Sequence, residues 1–206
     1  MSSTPVPSRT FTETARRVQL IDAAIVAVNE VGYHGASLSV IASRAGVAKS
    51  AIVYYFSSKE SLLLSVVDEV FTQLEAAVAP AARAETEPAA QLRAYAQAYL
   101  AHIDTHRARI TAGIEIVVSH RTGDGTPLYL TGTEADSPSL RDILVNGMAA
   151  GAFRQMPLHL AVTLVASVLD VWTTELQRDP GIDIGTLGED TIDFLVKGLA
   201  PTPPTG

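Results

Sequence analysis

The chain has 206 residues, of which 47% are hydrophobic, and these values predict a folded protein with one sizeable core or a small domain joined to a larger one. The absence of cysteine excludes disulfides, zinc–thiolate sites and thiol catalysis, and it fits a reducing cytoplasm. The net charge of −7, taken alone, argues against a polyanionic partner.

The charge is unevenly distributed along the chain. Residues 1–60 carry six basic and four acidic side chains, whereas residues 61–206 carry nine basic and 18 acidic ones. Because only the first part is net positive, we expect it, and not the remainder, to contact an anionic partner.

The sequence predicts neither a targeting segment nor a membrane span. The opening residues MSSTPVPSRT contain no apolar stretch of the kind that a signal peptide needs. No later run approaches the roughly 18 uncharged apolar residues of a span. We therefore expect a cytoplasmic protein with no membrane partner.

Helical periodicity dominates the chain and predicts an all-α fold of about nine helices. In residues 14–31, apolar side chains that include Ile21, Ile25 and Val28 recur on one face, and Gly32 follows as a helix stop. This first segment therefore predicts one long amphipathic helix.

Two short helices are predicted next. We expect the first to begin after Ser37, whose hydroxyl can accept a backbone N–H, and to end at Gly46, where a left-handed turn residue is needed. The second covers roughly residues 48–54. Together they form a pair of short helices joined by a tight turn.

A long helix is predicted over residues 58–79. Ser57 and Glu60 form the S-x-x-E pattern of a capping box at its start, and apolar residues recur behind them at helical spacing. Pro80 predicts the end of this helix and a domain boundary.

The rest of the chain is predicted to be helical, interrupted by a polar loop at residues 119–137. We expect the remaining helices over residues 88–105, 107–119, 138–151, 157–178 and 185–199. Residues 201–206 read as a flexible tail.

The two short helices around Gly46 have the layout of a helix-turn-helix motif. The second helix of such a motif is short and poorly covered, so that its outer face can enter a major groove about 12 Å wide. Its predicted outward side chains are polar, namely Lys49, Ser50, Tyr54 and Tyr55, and its inward ones are Val47, Ile52 and Phe56. Glycine turns between short helices also occur in helical proteins that touch no DNA, so that alternative stays open.

The run GYHGASLSVIASRAGVAKSAIVYYFSSKESLL, residues 32–63, resembles the DNA-binding signature of the TetR family of transcriptional repressors. The matching positions are Gly32, Tyr33, Ser37, Ile41, Ala42, Ala45, Gly46, Val47, Lys49, Tyr54, Tyr55, Phe56, Ser58, Lys59, Glu60 and Leu62. The chain departs from the family pattern at Ala48, Ala51 and Val53, where residues able to bond DNA are common, so individual base contacts are not assigned firmly.

The resemblance implies which side chains face DNA. The implied set is Ser37, Ser39, Lys49, Ser50, Tyr54, Tyr55 and Lys59. Of these, we expect Lys49, Tyr54 and Lys59 at phosphates, and Ser39, Ser50 and Tyr55 nearer the base edges. Arg9, Arg16 and Arg17 either extend this contact as a flexible arm or belong to a solvated N-terminus.

A single recognition helix reads too few base pairs to find an operator, so a dimer on a two-fold site is expected. The resemblance places the dimer interface on the helices at 157–178 and 185–199, and one large domain core is the rival explanation of their apolar surfaces. The implied division is an arm and helix-turn-helix domain at 1–57, a connecting helix at 58–79, and a ligand-binding and dimerisation domain at 80–200.

In this family the acidic, apolar remainder encloses a pocket for a small molecule, here expected to be a hydrophobic or aromatic inducer. Candidate wall residues are aromatic or apolar with a few polar tips: Tyr95, Tyr99, His102, Ile114, Val117, His120, Leu164, Val168 and Trp172. The alternative is that most of them are ordinary core residues. Glu115 is a candidate for binding a cationic ligand, with a solvated helix face as its alternative.

His102 and His106 lie four residues apart on a predicted helix, which is a spacing compatible with two metal ligands. Both also lie near a helix C-terminus, where the helix dipole favours them, so we expect neither metal nor cofactor. No motif of a known catalytic class occurs, and an enzyme is not expected. The sequence thus predicts a ligand-responsive, homodimeric repressor that binds a palindromic operator and is released by its inducer; the alternative is a helical small-molecule carrier or interaction protein without useful DNA binding.

Overall fold

The computed structural model describes residues 11–131, 137–179 and 181–201. In these ranges the protein has nine α-helices, one short 3-10 helix at Leu128–Leu130 and no β-strand. The α-helices are α1 (Phe11–Gly35), α2 (Leu38–Ala45), α3 (Lys49–Phe56), α4 (Lys59–Arg83), α5 (Pro88–Thr105), α6 (Arg107–Ser119), α7 (Pro138–Ala149), α8 (Leu158–Arg178) and α9 (Ile184–Leu199). The all-α prediction is confirmed. The N-terminal arm up to residue 10, part of the polar loop and the tail at 202–206 lie outside the described residues.

The first helix changes direction near its end. Gly32 has φ +71° and ψ 170°, a backbone conformation that side chains with a Cβ rarely adopt, and a last short turn continues to Gly35. The predicted helix stop at Gly32 is therefore a kink inside α1. This kink aims the following segment, which includes Tyr33, at the start of α4 and the end of α6.

The short second helix begins and ends where the sequence predicts. The Ser37 hydroxyl accepts a hydrogen bond from the backbone N–H of Val40 at 3.3 Å. Gly46 closes the helix in the left-handed conformation, with φ +63°. Behind this turn α3 buries Ile52 and Phe56 beneath it, which leaves the opposite side of α3 exposed.

The long fourth helix differs from the prediction at both ends. Its N-terminal cap is Ser58, whose hydroxyl accepts from the N–H of Ser61, while Ser57 sits one residue outside with φ +57°. The predicted pairing of Ser57 with Glu60 as a capping box is therefore wrong.

The same helix also continues through Pro80 to Arg83, so the predicted helix end at residue 79 is wrong. Proline removes one backbone hydrogen bond, but the buried Val78, Ala79 and Ala82 hold this last turn in the core.

The buried apolar residues form one continuous cluster from α1 to α9. α1 takes part in it through α6 as well as through α2 and α4. Two polar contacts join α1 to α6: the Asn29 side chain donates to the Ala108 carbonyl at 2.8 Å, and Arg109 pairs with Asp22. The N-terminal helices are thus packed directly on the larger helical part.

Helix α8 is apolar on two sides. Its buried face is centred on Val165, Leu169 and Leu176. Leu160, Leu164 and Val171, by contrast, are 43–48% exposed. Leu164, which the sequence suggests as a pocket-wall residue, is exposed because the buried face is centred further round the helix.

Within the described residues, α8 is also long and apolar enough to cross a membrane by length and composition alone, with a mean hydropathy of 1.2. This is weak evidence for a span, because the core helix of a soluble protein passes the same test. A third of that stretch is buried against the rest of the protein.

Candidate nucleic-acid interface and ligand groove

The outer face of α3 presents polar side chains to solvent. Lys49 and Ser50 are exposed, and Tyr54 is 76% exposed. Tyr55 is half-buried and packs edge to face against Tyr54, with 5.0 Å between the ring centroids. Ser39 on α2 is also exposed. The helix therefore offers a short, convex surface of hydroxyl-bearing side chains and one lysine, which is of the kind that fits a major groove.

Two residues predicted to face DNA are engaged within the protein. The Ser37 hydroxyl caps α2. The Lys59 ammonium donates to the carbonyls of Tyr33 and His34 at 2.7 and 3.3 Å, where α1 ends. Partial burial lowers the pKa of Lys59. Both side chains thus have structural roles, and their contact with DNA stays a prediction.

The arginines near the N-terminus also differ in their surroundings. Arg17 donates to the Tyr55 carbonyl at 2.5 Å, and its guanidinium lies 4.0 Å from the centre of the Phe56 ring. Arg16 bonds Gln19 on the same helix at 2.6 Å. Arg17 therefore fixes the end of α3 from behind, and the predicted arm residue Arg9 lies outside the described residues.

A set of contacts, here called the hinge network, joins the ends of α1 and α6 to the start of α4. It consists of Gly32, Tyr33, Lys59, Glu60, Glu115 and His120. The Tyr33 hydroxyl lies 2.7 Å from Nδ1 of the buried His120, and Nε2 of His120 lies 3.5 Å from Oε1 of Glu60. In the tautomer that places the ring proton on Nε2, toward the Glu60 carboxylate, Nδ1 accepts from the Tyr33 hydroxyl.

The Tyr33 hydroxyl is held in its protonated form. Burial, and then the nearby Glu60 charge, raises the pKa of Tyr33, so its hydroxyl stays a donor. The backbone N–H of Tyr33 also donates to Oε1 of Glu115 at 3.3 Å. Two hydrogen bonds therefore tie Tyr33 to α6 and to the residue that caps its C-terminus.

The residues predicted to line a ligand pocket are spread through the core. Tyr95, Tyr99, Val117, His120 and Trp172 are buried, His102, Ile114 and Val168 are half-buried, and Leu164 is exposed. Their polar tips are engaged: Tyr99 donates to Asp170, Trp172 to the Thr191 hydroxyl at 3.1 Å. Ile114 lines the groove described next, and for the buried members the alternative of ordinary core packing fits their surroundings.

A groove of about 670 Å³ lies between the end of α1, α6 and α8. Its walls include Val28 and Gly32 from α1, Ile114 and Glu115 from α6, and Asp170 and Thr173 from α8. A narrow cleft of about 40 Å³ shares Thr173 with the groove and is lined on its apolar side by Ile103, Ile110 and Leu176. The groove has the size of a small-molecule site and opens directly beside the hinge network.

Two features of this groove are chemically distinctive. Burial raises the pKa of Asp170, and the Tyr99 hydroxyl, which donates to it, limits that rise. Thr173 is 7% exposed, and its hydroxyl has no hydrogen-bond partner.

Most of this site was not predicted, because its walls come from three helices far apart in sequence. One available signal was the recurrence of Ser167, Asp170, Thr174 and Gln177 along one side of an otherwise apolar α8.

The predicted histidine pair shows no sign of a metal site. The rings of His102 and His106 stack with 4.2 Å between their centroids, and Nδ1 of His106 lies 3.1 Å from the His102 carbonyl. Burial and the adjacent His106 lower the pKa of His102. In the described part of the chain, no group of three side chains suited to metal binding occurs.

The chain is similar to known bacterial transcriptional regulators. Residues 20–66 match a family model described as bacterial regulatory proteins of the tetR family. The HTH-type transcriptional activator FasR of Mycolicibacterium smegmatis is 31% identical over 192 residues, which cover 92% of this chain and 85% of FasR.

Solved structures share the same fold over almost the whole chain. The fatty acid degradation regulator FadR from Bacillus halodurans superposes with a TM-score of 0.76 at 24% identity, covering 94% of this chain and 98% of FadR. FadR from Bacillus subtilis, solved in complex with stearoyl-CoA, has a TM-score of 0.71 at 24% identity, covering 88% of this chain and 98% of its own. At 24% identity, this similarity shows a shared fold and nothing about the ligand of this chain.

Proposed function

Because the chain belongs to the TetR family of transcriptional regulators, we propose that it is a ligand-responsive homodimeric repressor that binds a palindromic operator and is released by a small molecule. The family identity makes it a DNA-binding regulator and not an enzyme, as the sequence predicted. In this proposal α1–α3 bind DNA in the cytoplasm, α4 connects, and α5–α9 bind the effector and the partner.

The observation that carries the proposal is the exposed polar face of α3. Tyr54 and Ser50 lie on the side away from the buried Ile52 and Phe56, and Lys49 is exposed at the first position of the helix. An ammonium and a phenolic hydroxyl placed at the two ends of a short helix can contact phosphates on either side of a groove, while Ser50 approaches the base edges. The alternative, a small-molecule carrier that does not bind DNA, would leave this exposed polar face unexplained.

The exposed apolar residues of the last two helices support a dimer. On α8 they are Leu160, Leu164 and Val171, and on α9 Leu187 and Phe194, of which Phe194 is 65% exposed. Leucine, valine and phenylalanine side chains in this number are rarely left in water on a helix that also has a buried face. A second copy of the chain packing on α8 and α9 would cover them and set two α3 helices on one two-fold axis.

The hinge network supports regulation by a ligand. The groove between α1, α6 and α8 and the contacts of Tyr33 share Gly32 and Glu115. A ligand that prefers one position of α6 over another changes the operator affinity by its differential affinity for the two positions. Coupling between the groove and the DNA-binding helices would therefore need only a small shift in the hydrogen bonds that Tyr33 makes with Glu115 and His120.

The proposed sign of regulation is repression, since occupancy of a promoter site blocks transcription without any further contact to the polymerase. The relative FasR is named an activator. Transcription in a purified system from a promoter that overlaps the operator separates the two: repression predicts fewer transcripts as protein is added, and an increase would show activation.

The proposal is tested by selecting duplexes from a random pool with the purified protein and sequencing those retained. We expect a two-fold symmetric consensus whose half-sites are separated by about one helical turn or a multiple of it. The affinity for this consensus should fall steeply with salt, because phosphate contacts release counterions. Failure to enrich any sequence at low salt would contradict operator binding by the free protein.

A further inference from the structure

Thr173 is an unpartnered polar group in the core between the groove and the narrow cleft. Its side chain is 93% buried, and its hydroxyl has no hydrogen-bond partner. A buried hydroxyl without a partner destabilises the protein relative to a bonded one. Thr173 lines both the groove and the narrow cleft, so a ligand that moves aside the atoms covering its hydroxyl can supply the missing partner.

The charged side chains of the groove are both acidic. Glu115 and Asp170 line it, and no lysine or arginine does so among the residues described. The two hydrogen bonds that Glu115 accepts, from the Tyr33 N–H and the Ser119 hydroxyl, both reach Oε1, which leaves Oε2 for a ligand. Arg107 lines the adjoining cleft, but it is paired with Asp104. The groove therefore attracts positive charge and disfavours phosphate or carboxylate groups.

The remaining walls are apolar. Val28, Ile114 and Val171 line the groove, and Ile103, Ile110 and Leu176 line the cleft beyond Thr173. Apolar walls with a few convergent polar groups are typical of sites for amphipathic small molecules. A ligand that satisfies all of these groups has a cationic, hydrogen-bond-donating head and an apolar arm.

We propose that the groove between α1, α6 and α8 binds an organic cation, whose ammonium group lies between Glu115 and Asp170 and bonds the Thr173 hydroxyl. The regulatory meaning of this site rests on the proposed function, whereas the binding itself does not involve DNA. Gly32 and Glu115 belong to both the groove and the hinge network, so the cation at Oε2 and the Tyr33 N–H at Oε1 bond the same carboxylate. The site thereby connects effector chemistry to the end of α1.

The proposal is tested with three probes that share one apolar arm: 4-phenylbutylamine, 4-phenylbutanol and 4-phenylbutyrate. Binding to the full chain is measured by calorimetry at pH 7 without DNA. We expect the amine to bind at least about tenfold more tightly than the alcohol, which corresponds to one charged hydrogen bond, and the carboxylate to bind least. Equal or tighter binding of the carboxylate, or no binding of the amine, would overturn the proposal.

Two variants separate a binding role from a structural one. Glu115→Gln keeps the acceptor for Tyr33 but removes the charge, and it should weaken the amine about tenfold while leaving the alcohol unchanged. Thr173→Val keeps the shape but removes the lone hydroxyl, so it should raise the melting temperature of the free protein and still weaken the amine. Amine affinity that survives both substitutions would overturn the site.

Matched controls are Asp142→Asn, an exposed carboxylate on α7, and Thr105→Val, whose exposed hydroxyl is bonded to the Ala101 carbonyl. Neither should change amine binding. If the wild-type chain selects an operator but does not bind the amine, this inference alone would be overturned. Amine binding without any operator selection would overturn the proposed function alone.

Discussion

Lys49 and Lys59 carry the same charge in the same stretch of chain but have different surroundings. Lys49 projects from the first turn of α3 into solvent, whereas Lys59 holds two carbonyls at the end of α1. A pattern in the sequence assigns both to phosphate contacts. The structure separates a cation available to DNA from one that fastens two helices, because the kink at Gly32 brings the α1 carbonyls to Lys59.

Replacing Lys49 with alanine should weaken operator and non-operator DNA by the same factor and lower the salt dependence by about one released counterion. Stability should not change, since the side chain is exposed. Fluorescence anisotropy over a range of salt concentrations measures both quantities. A loss confined to the operator would instead place Lys49 at a base.

Lys59→Met is the informative comparison for Lys49→Ala. It should lower the free energy of unfolding by about 1 kcal/mol, because two carbonyls lose a charged donor at a partly exposed site. Lys197→Ala, at an exposed site on α9, should affect neither DNA binding nor the hinge network.

Asp170→Asn should make stability less dependent on pH. Burial raises the pKa of Asp170 above 3.8, so the folded state holds its proton more tightly than the unfolded state does. The wild-type stabilisation from this group is complete at low pH and is lost as pH rises through the folded pKa. The variant cannot ionise and keeps an acceptor for Tyr99. Urea unfolding at fixed protein concentration between pH 4 and pH 8 should therefore show a growing advantage of the variant, and parallel curves would contradict this.

Among the helices, the sequence predicts those ends that local signals mark and misses those that depend on tertiary packing. The bounds of α5 and α6 agree with the predicted 88–105 and 107–119, because proline at the start of α5 and the polar residues between the two helices are local signals. The run through Pro80 was missed, since it depends on packing of Val78 and Ala82 against neighbours distant in sequence.

The candidate sites divide in the same way. The outward face of α3 follows from local spacing, whereas the groove arises where residues 28–32, 111–118 and 167–177 meet. Its lone threonine hydroxyl is recognisable only once the neighbouring side chains are placed.

The kink in α1 is a prediction at the scale of the helix. Gly32→Ala should lower the free energy of unfolding by about 1–2 kcal/mol, because alanine is strained at φ +71°; the added Cβ itself would meet only an ordinary contact, with Oε1 of Glu115 4.0 Å away. Chemical denaturation measures the loss. Gly123→Ala, in a loop where an added Cβ meets nothing within 4 Å, is the matched control and should be close to neutral. Equal effects of both substitutions would argue against a strained kink.

At the scale of the whole molecule, one continuous core joins the recognition helix to the ligand groove. The route is short: α3 packs on α2 and α4, both of these pack on α1, α1 lies along α6, and α6 forms one wall of the groove. A dimer formed through α8 would place the same wall near the partner, because Val171 belongs both to the groove and to the exposed apolar side of α8. In the proposed function, effector, partner and operator would therefore act on neighbouring helices.

Disrupting the proposed dimer should abolish operator binding without unfolding the chain. Leu164→Asp and Phe194→Asp each place a charge on an exposed apolar position of α8 or α9. Light scattering should show monomers, and operator affinity should fall at least about a hundredfold as two half-sites no longer bind together. Leu130→Asp, at a 64% exposed leucine outside these helices, is the control. Variants that remain dimeric would place the interface elsewhere.

The direct packing of α1 on α6 limits how the parts of this protein can be exchanged. A transplant of the whole N-terminal segment into another regulator would separate Tyr33 from His120 and Asp22 from Arg109, and would lose the communication along with the fit. The outer face of α3 makes no such contacts. New operator preferences are therefore best engineered by changing a few surface positions of α3 within this protein, so that the contacts between α1 and α6 are kept.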